Sequence, residues 1–340
     1  MQKGHGLILD EIIPNDHYVL GGYKSIGGTP LKPDRDWRPL VPAHQETQNR
    51  GFETFACTNF GTANALEILI KLLFNEEVDF SDRWYAKESG TSVITQGNSP
   101  HTVAEFARTK GLVKEDKWPF DSTIDTVEKF YATAPLSLYN TASEFIGDFI
   151  LKHEWVPSNA QALYDALQYS PLGFSVCAWY KDTEGLYFRP QGLSDQHWVV
   201  LIYAEWEKYW LVLDSYKDGD ILLKKIRWDA IPMRAKRYSL VRQPHVFYKN
   251  LAFQMMDKEV TYLQKALVQL GYPIPHATTE VYGTETKSAV SAFQQANGIV
   301  GNAGLNFGPR CRLALNMKLH PDIPFGGSVL TYLVSLFSST

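Results

Sequence analysis

At Pro171 the hydrophobic period of this chain changes, and that change limits the fold more than any other feature. Before it, apolar residues recur at helical spacing, as in Ala65, Leu66, Leu69, Ile70, Leu72 and Leu73. After it come short runs rich in Val, Ile, Leu, Tyr and Trp: Leu172 to Trp179, His197 to Trp206, Tyr209 to Asp214 and Ile221 to Trp228. Turn signals such as Asp218-Gly219-Asp220 separate them. A helical half followed by an antiparallel sheet is an α+β arrangement. An aromatic content of 13% suits the sheet.

The chain has 340 residues, enough for two or three domains. Residues 1–45 read as an N-terminal arm. Gly21-Gly22, Gly27-Gly28, Pro30, Pro33, Pro39 and Pro42 break it too often for long elements, while Trp37 and Tyr18-Val19-Leu20 give it something to pack with. A crossing strand or a propeptide are the two readings of it. Residues 46–248 form the main domain. Within it a helix spans 57–74, Ser81 is placed to cap a short second one, and a third starts at Ser99 with Pro100 in its first turn and ends at Gly111. Residues 126–133 and 141–153 read as weak helices, and Asn159 to Leu167 as a short one.

A different unit occupies residues 252–318. Val260, Leu263, Leu267 and Leu270 share one helical face, and Gly271 ends that helix. Thr284 to Gln295 gives a second helix with Ala289, Val290 and Phe293 inward, and Pro309 starts a third carrying Leu313 and Leu315. The tail, 319–340, is apolar but too short to span a bilayer.

A net charge of −4 offers no footprint for nucleic acid. Three cysteines, Cys57, Cys177 and Cys311, do not make a disulfide framework, and the chain reads as built for a reducing compartment. The N-terminus lacks the apolar core of a signal peptide, so synthesis in the cytoplasm is expected. No His/Cys/Asp cluster has zinc spacing, and neither a metal nor a cofactor is expected.

Cys57 stands at the start of its helix, where the macrodipole and free N–H groups favour a thiolate. A nucleophilic thiol needs a base and a group to orient that base. His197 lies at the mouth of an apolar strand, and Asp214 ends the next one across a short turn. Cys177 and Cys311 read as structural, His101 as a helix-start residue, and Lys224-Lys225 as a solvated strand face.

The run Cys57-Thr58-Asn59-Phe60-Gly61-Thr62-Ala63-Asn64-Ala65-Leu66-Glu67 resembles the nucleophile helix of papain-like (C1) cysteine peptidases. Gly111-Leu112-Val113-Lys114-Glu115-Asp116-Lys117-Trp118-Pro119-Phe120 resembles their middle elbow, Gly185-Leu186-Tyr187 their "G-I-Y" segment, and Tyr209-Trp210-Leu211-Val212-Leu213-Asp214-Ser215-Tyr216 their "Y-W-x-x-K-N-S-W". His197 follows Cys57 by 140 residues (197 − 57), inside the rough papain-type spacing of ~130–150. The resemblance implies a two-lobe fold with Cys57 as nucleophile, His197 as base and Asp214 as orienting residue. Three positions depart from the family. Asp214 replaces an asparagine, which raises the pKa of a neighbouring imidazolium. Tyr216 replaces a shielding tryptophan. Gly51 stands where the oxyanion glutamine belongs, and Gln48, nine residues before Cys57, serves only if the loop is longer.

Residues 257–316 resemble a three-helix peptidoglycan-binding domain, through Leu263-Gln264, Leu270-Gly271-Tyr272 and Tyr282-Gly283-Thr284-Glu285-Thr286-Lys287-Ser288-Ala289-Val290-Ser291-Ala292-Phe293-Gln294. Together the two resemblances imply a cysteine peptidase aimed at peptidoglycan or at protein attached to the cell wall. A phage lysin or virion component, released at the wall, suits a chain without leader or disulfides. Other virion proteins are then partners for the arm and the tail. A structural or adhesive virion protein with a dead site is one alternative. A Cys-His amidase or acyl transferase is another.

Overall fold

The computed structural model describes residues 6–10, 28–42, 47–48, 51–218, 221–242, 245–276 and 279–319. The 320–340 part of the apolar tail lies outside the described residues, as does the Tyr18-Val19-Leu20 tract of the arm. The chain divides into two compact units, Met1–Arg242 and Gln243–Thr340.

In the first unit, helix α1 (Cys57–Phe74) is buried from Cys57 through Ile70. A helix buried over so long a run is covered on every side. It stops at Asn75, which takes a left-handed φ of 52° and bonds back to Lys71 O. Around it stand α2 (Asp82–Glu88), α3 (Pro100–Lys110), α4 (Val127–Phe130), α5 (Ser137–Asp148) and α6 (Ala160–Ala166). Ser81 and Ser99 cap α2 and α3 by accepting from Trp84 N and Thr102 N, and Gly111 closes α3 at φ 85°.

The sheet runs β1-β8-β2-β5-β6-β7-β4-β3. Its strands are β1 (Phe149–Val156), β2 (Leu172–Val176), β3 (Tyr180–Lys181), β4 (Tyr187–Phe188), β5 (His197–Glu205), β6 (Tyr209–Asp218), β7 (Ile221–Arg227) and β8 (Ala235–Arg242). Its pairings are antiparallel except β4 with β7. This is the α+β arrangement that the change of period implied.

Two expectations change. The helix read over 141–153 ends at Asp148, and β1 begins at Phe149. Eight residues of β1 pair with β8, from Phe149↔Arg242 to Val156↔Ala235. That partner lies far along the chain and leaves no local trace. The helix read over 126–133 shrinks to the single turn of α4.

Part of the arm packs on this unit. Trp37 is fully buried, its backbone N–H donates to Ile202 O (2.9 Å) and its Nε1 to Leu167 O (2.8 Å).

The second unit holds β9 (Leu251–Ala252), α7 (Lys258–Gln269), α8 (Thr284–Ala296), β10 (Asn306–Phe307) and α9 (Pro309–Leu319). Val260, Leu263, Leu267, Ala289, Val290, Phe293, Cys311 and Leu315 share its core. Of the two leucines that α9 carries, Leu315 is core and Leu313 is exposed.

Candidate active site

Cys57 is the first residue of α1, and no side chain caps that terminus. The first-turn N–H groups therefore keep their partial positive charge beside the sulfur. The thiol is fully buried among Leu7, Trp155 and Trp198.

His197 opens β5, and Asp214 lies on the adjacent strand β6. Antiparallel pairing, with Val200 opposite Leu213, brings their ends together. His197 Nε2 lies 2.6 Å from Asp214 Oδ1, and both side chains are fully buried. The other ring nitrogen, Nδ1, has no conventional hydrogen-bond partner and is the one left for Cys57. Cys57 acts on the imidazole both by charge and by hydrogen bond. Burial opposes protonation of His197, but Asp214 and Cys57 outweigh it and push the imidazole up to about 10. Burial likewise opposes ionisation of Asp214, and His197 with Lys224 holds it below the usual carboxylate range.

Lys224, expected on a solvated face, is buried and ion-paired to Asp214 Oδ2. Only its neighbour Lys225 is exposed. Strand period explains the difference, because Leu222, Lys224 and Ile226 share one face and Ile226 is core. That alternation was the signal available in the sequence.

Two rings wall the imidazole. Tyr216 meets it edge-on at 5.2 Å and Trp179 at 5.5 Å between centroids. Tyr216 thus covers the imidazole of His197 where the resemblance called for tryptophan, with its hydroxyl on Glu53.

Gln48 is buried beside the helix start. Its Oε1 accepts from Ala56 N–H (3.2 Å), the residue before Cys57, and its Nε2 donates to Ser215 Oγ (2.6 Å). Its backbone N–H also donates to Ser215 O (3.0 Å), which fixes it against β6. One Nε2 hydrogen remains for another acceptor.

Residues 6–10 lie over this site. Leu7 N–H donates to the carbonyl of Gln196, next to His197 (3.2 Å), and Leu7 bridges in parallel to Asn98. A Cβ on Gly6 would stand 2.6 Å from Phe55 O and 3.0 Å from Cys57 Sγ, so only glycine comes this close. Arg234 holds Asp10 O through Nε (3.0 Å) and Nη2 (2.7 Å). No sequence signal pointed to this placement, which depends on two distant segments.

Cys177 and Cys311 are buried and unbridged. Among the described residues no group of three or more His, Cys, Asp or Glu is arranged to hold a metal ion, and no helix is long and apolar enough to cross a membrane.

A family model described as "Putative peptidoglycan binding domain" matches residues 256–306. No curated protein matches the chain. Among solved structures, the chain is similar to the proform of the Amb a 11 cysteine protease of ragweed pollen, at 18% identity over 63% of this chain and 68% of that one, with a TM-score of 0.46. It is similar to the bromelain protease of Ananas comosus at 19% identity, over 60% and 97% of the two chains, with a TM-score of 0.46. It is also similar to the Carica candamarcensis cysteine protease CMS1MS2 at 18% identity, over 60% and 96%, with a TM-score of 0.45.

Proposed function

We propose that this chain is a cysteine peptidase that cleaves peptide bonds in bacterial cell wall or in protein attached to it. The observation that carries the reading is the buried line from Cys57 through His197 to Asp214. Cys57 gives its proton to His197 Nδ1 and attacks the carbonyl carbon. His197 then protonates the leaving amine, and water releases the acyl group from sulfur with His197 as base. Asp214 keeps Nε2–H engaged, which fixes the tautomer and stabilises the imidazolium. In this reading Gln48 supplies its remaining Nε2 hydrogen to the developing oxyanion.

The match over residues 256–306 supports the target. A wall-binding unit raises the local substrate concentration with only weak binding of its own.

The test is digestion of purified peptidoglycan and of wall-attached protein by wild type and Cys57→Ala, with products read by mass spectrometry. Wild type should release new peptide termini and Cys57→Ala should not. Equal release by both would remove the peptidase reading, while products of acyl transfer would replace hydrolysis with transfer. A chain ending at Arg242 should lose about 10²-fold on wall but keep its rate on a soluble peptide.

A further inference from the structure

We propose that Lys224 is a positioning residue for the Cys57–His197 pair, supplying the buried counter-charge that lets an aspartate orient the imidazole. The inference rests on the peptidase reading of the site and adds a fourth member to it.

Lys224 is 3% exposed and donates to two acceptors, Asp214 Oδ2 and the carbonyl of Tyr216. Its ammonium also lies 4.7 Å over the ring of Trp179. Each of these three groups touches His197: Asp214 by hydrogen bond, Tyr216 and Trp179 by their rings. One side chain thus ties together the surroundings of the base.

Charge gives the reason. A buried carboxylate is tolerated only when paired. Thiolate, imidazolium, carboxylate and ammonium sum to zero when Cys57 and His197 form an ion pair, with Glu53 on the Tyr216 hydroxyl as a further acidic group beside them. An asparagine at 214 would need no such partner, whereas an aspartate there does. With Oδ2 taken by Lys224, Oδ1 is turned toward His197 Nε2.

Backbone geometry gives a second reason. The β6–β7 ladder shifts register between Leu213 and Asp218, the stretch that carries Asp214. Regular pairing does not fix that segment. The Lys224 side chain crosses from β7 and holds it at two points.

The experiment compares wild type, Lys224→Met, Asp214→Asn and the double variant. Alkylation of Cys57 by iodoacetamide is followed by peptide mapping from about pH 4 to about pH 10. Residues 6–10 cover the thiol in all four proteins, so ratios of rates cancel access. Lys224→Met should slow alkylation about tenfold near neutrality, the effect of one pKa unit. It should also move the acid limb upward, because Asp214 loses a cation that holds its carboxyl low. Asp214→Asn alone strands the ammonium and should lose more. The double variant should recover to within a few-fold of wild type and melt above either single variant.

A Lys224→Met profile matching wild type, or a double variant no better than Asp214→Asn, would overturn the proposal. If Lys224→Met does not fold, the double variant decides alone: near wild-type alkylation supports the role, and its loss removes it. Alkylation needs no peptide substrate. This alkylation pattern without any hydrolysis would therefore sink the peptidase reading and leave the role of Lys224 standing.

Discussion

His197 meets a full burial penalty and two acidic neighbours at once. The neighbours win, so its imidazole is held at about 10, above the 6.5 of a free side chain. A raised folded pKa contributes stability that is complete below about 6.5 and disappears as pH rises through about 10. The difference in melting temperature between wild type and His197→Gln should therefore be widest below pH 6.5 and shrink toward pH 10; a difference flat with pH would count against the shift. Gln48 makes a separate prediction. If its remaining Nε2 hydrogen serves the oxyanion, Gln48→Ala should lower kcat by about 10²–10³ with little change in KM. Cys57, His197 and Asp214 are legible as candidates because a helix start, a strand mouth and a strand end are local features. The burial of Lys224 is less legible, because a lysine pair suggests water and only strand alternation sets it on the face of Ile226.

At the scale of elements, the site depends on how closely α1 approaches β5. Gly61 on α1 and Gly173 on β2 both face Trp198, the residue after the base. A Cβ on Gly61 would stand 2.8 Å from its ring, and one on Gly173 only 2.3 Å. Gly173→Ala must displace the indole, and overpacking of this kind costs about 1–3 kcal/mol. Its melting temperature should fall and its activity should fall further, because Trp198 adjoins His197; an unchanged melting curve would show that the ring has room to move. Helix ends at Ser81, Pro100 and Gly111 are readable from local residue types, which act within a few positions. Strand β1 was not, since its eight residues gain their conformation from β8, some eighty positions on.

At the scale of the molecule, the first described residues stand over the candidate site. Gly6 and Leu7 cover Cys57, held by Asn98, Gln196 and Arg234 at Asp10. A chain lacking residues 1–10 should alkylate at Cys57 at least about tenfold faster, since the open fraction limits the rate; no acceleration would show that the covering segment leaves the thiol accessible. The amino-acid order by itself determined the α+β class, the second helical unit and which residues were candidates for the chemistry. Those follow from periodicity, caps and residue type, all short-range. The third dimension decided that Lys224 turns inward, that Gln48 reaches the helix start despite its offset, and that the first residues return over the thiol. Each is a contact between segments far apart in the chain, and its free energy exists only once the sheet has brought them together.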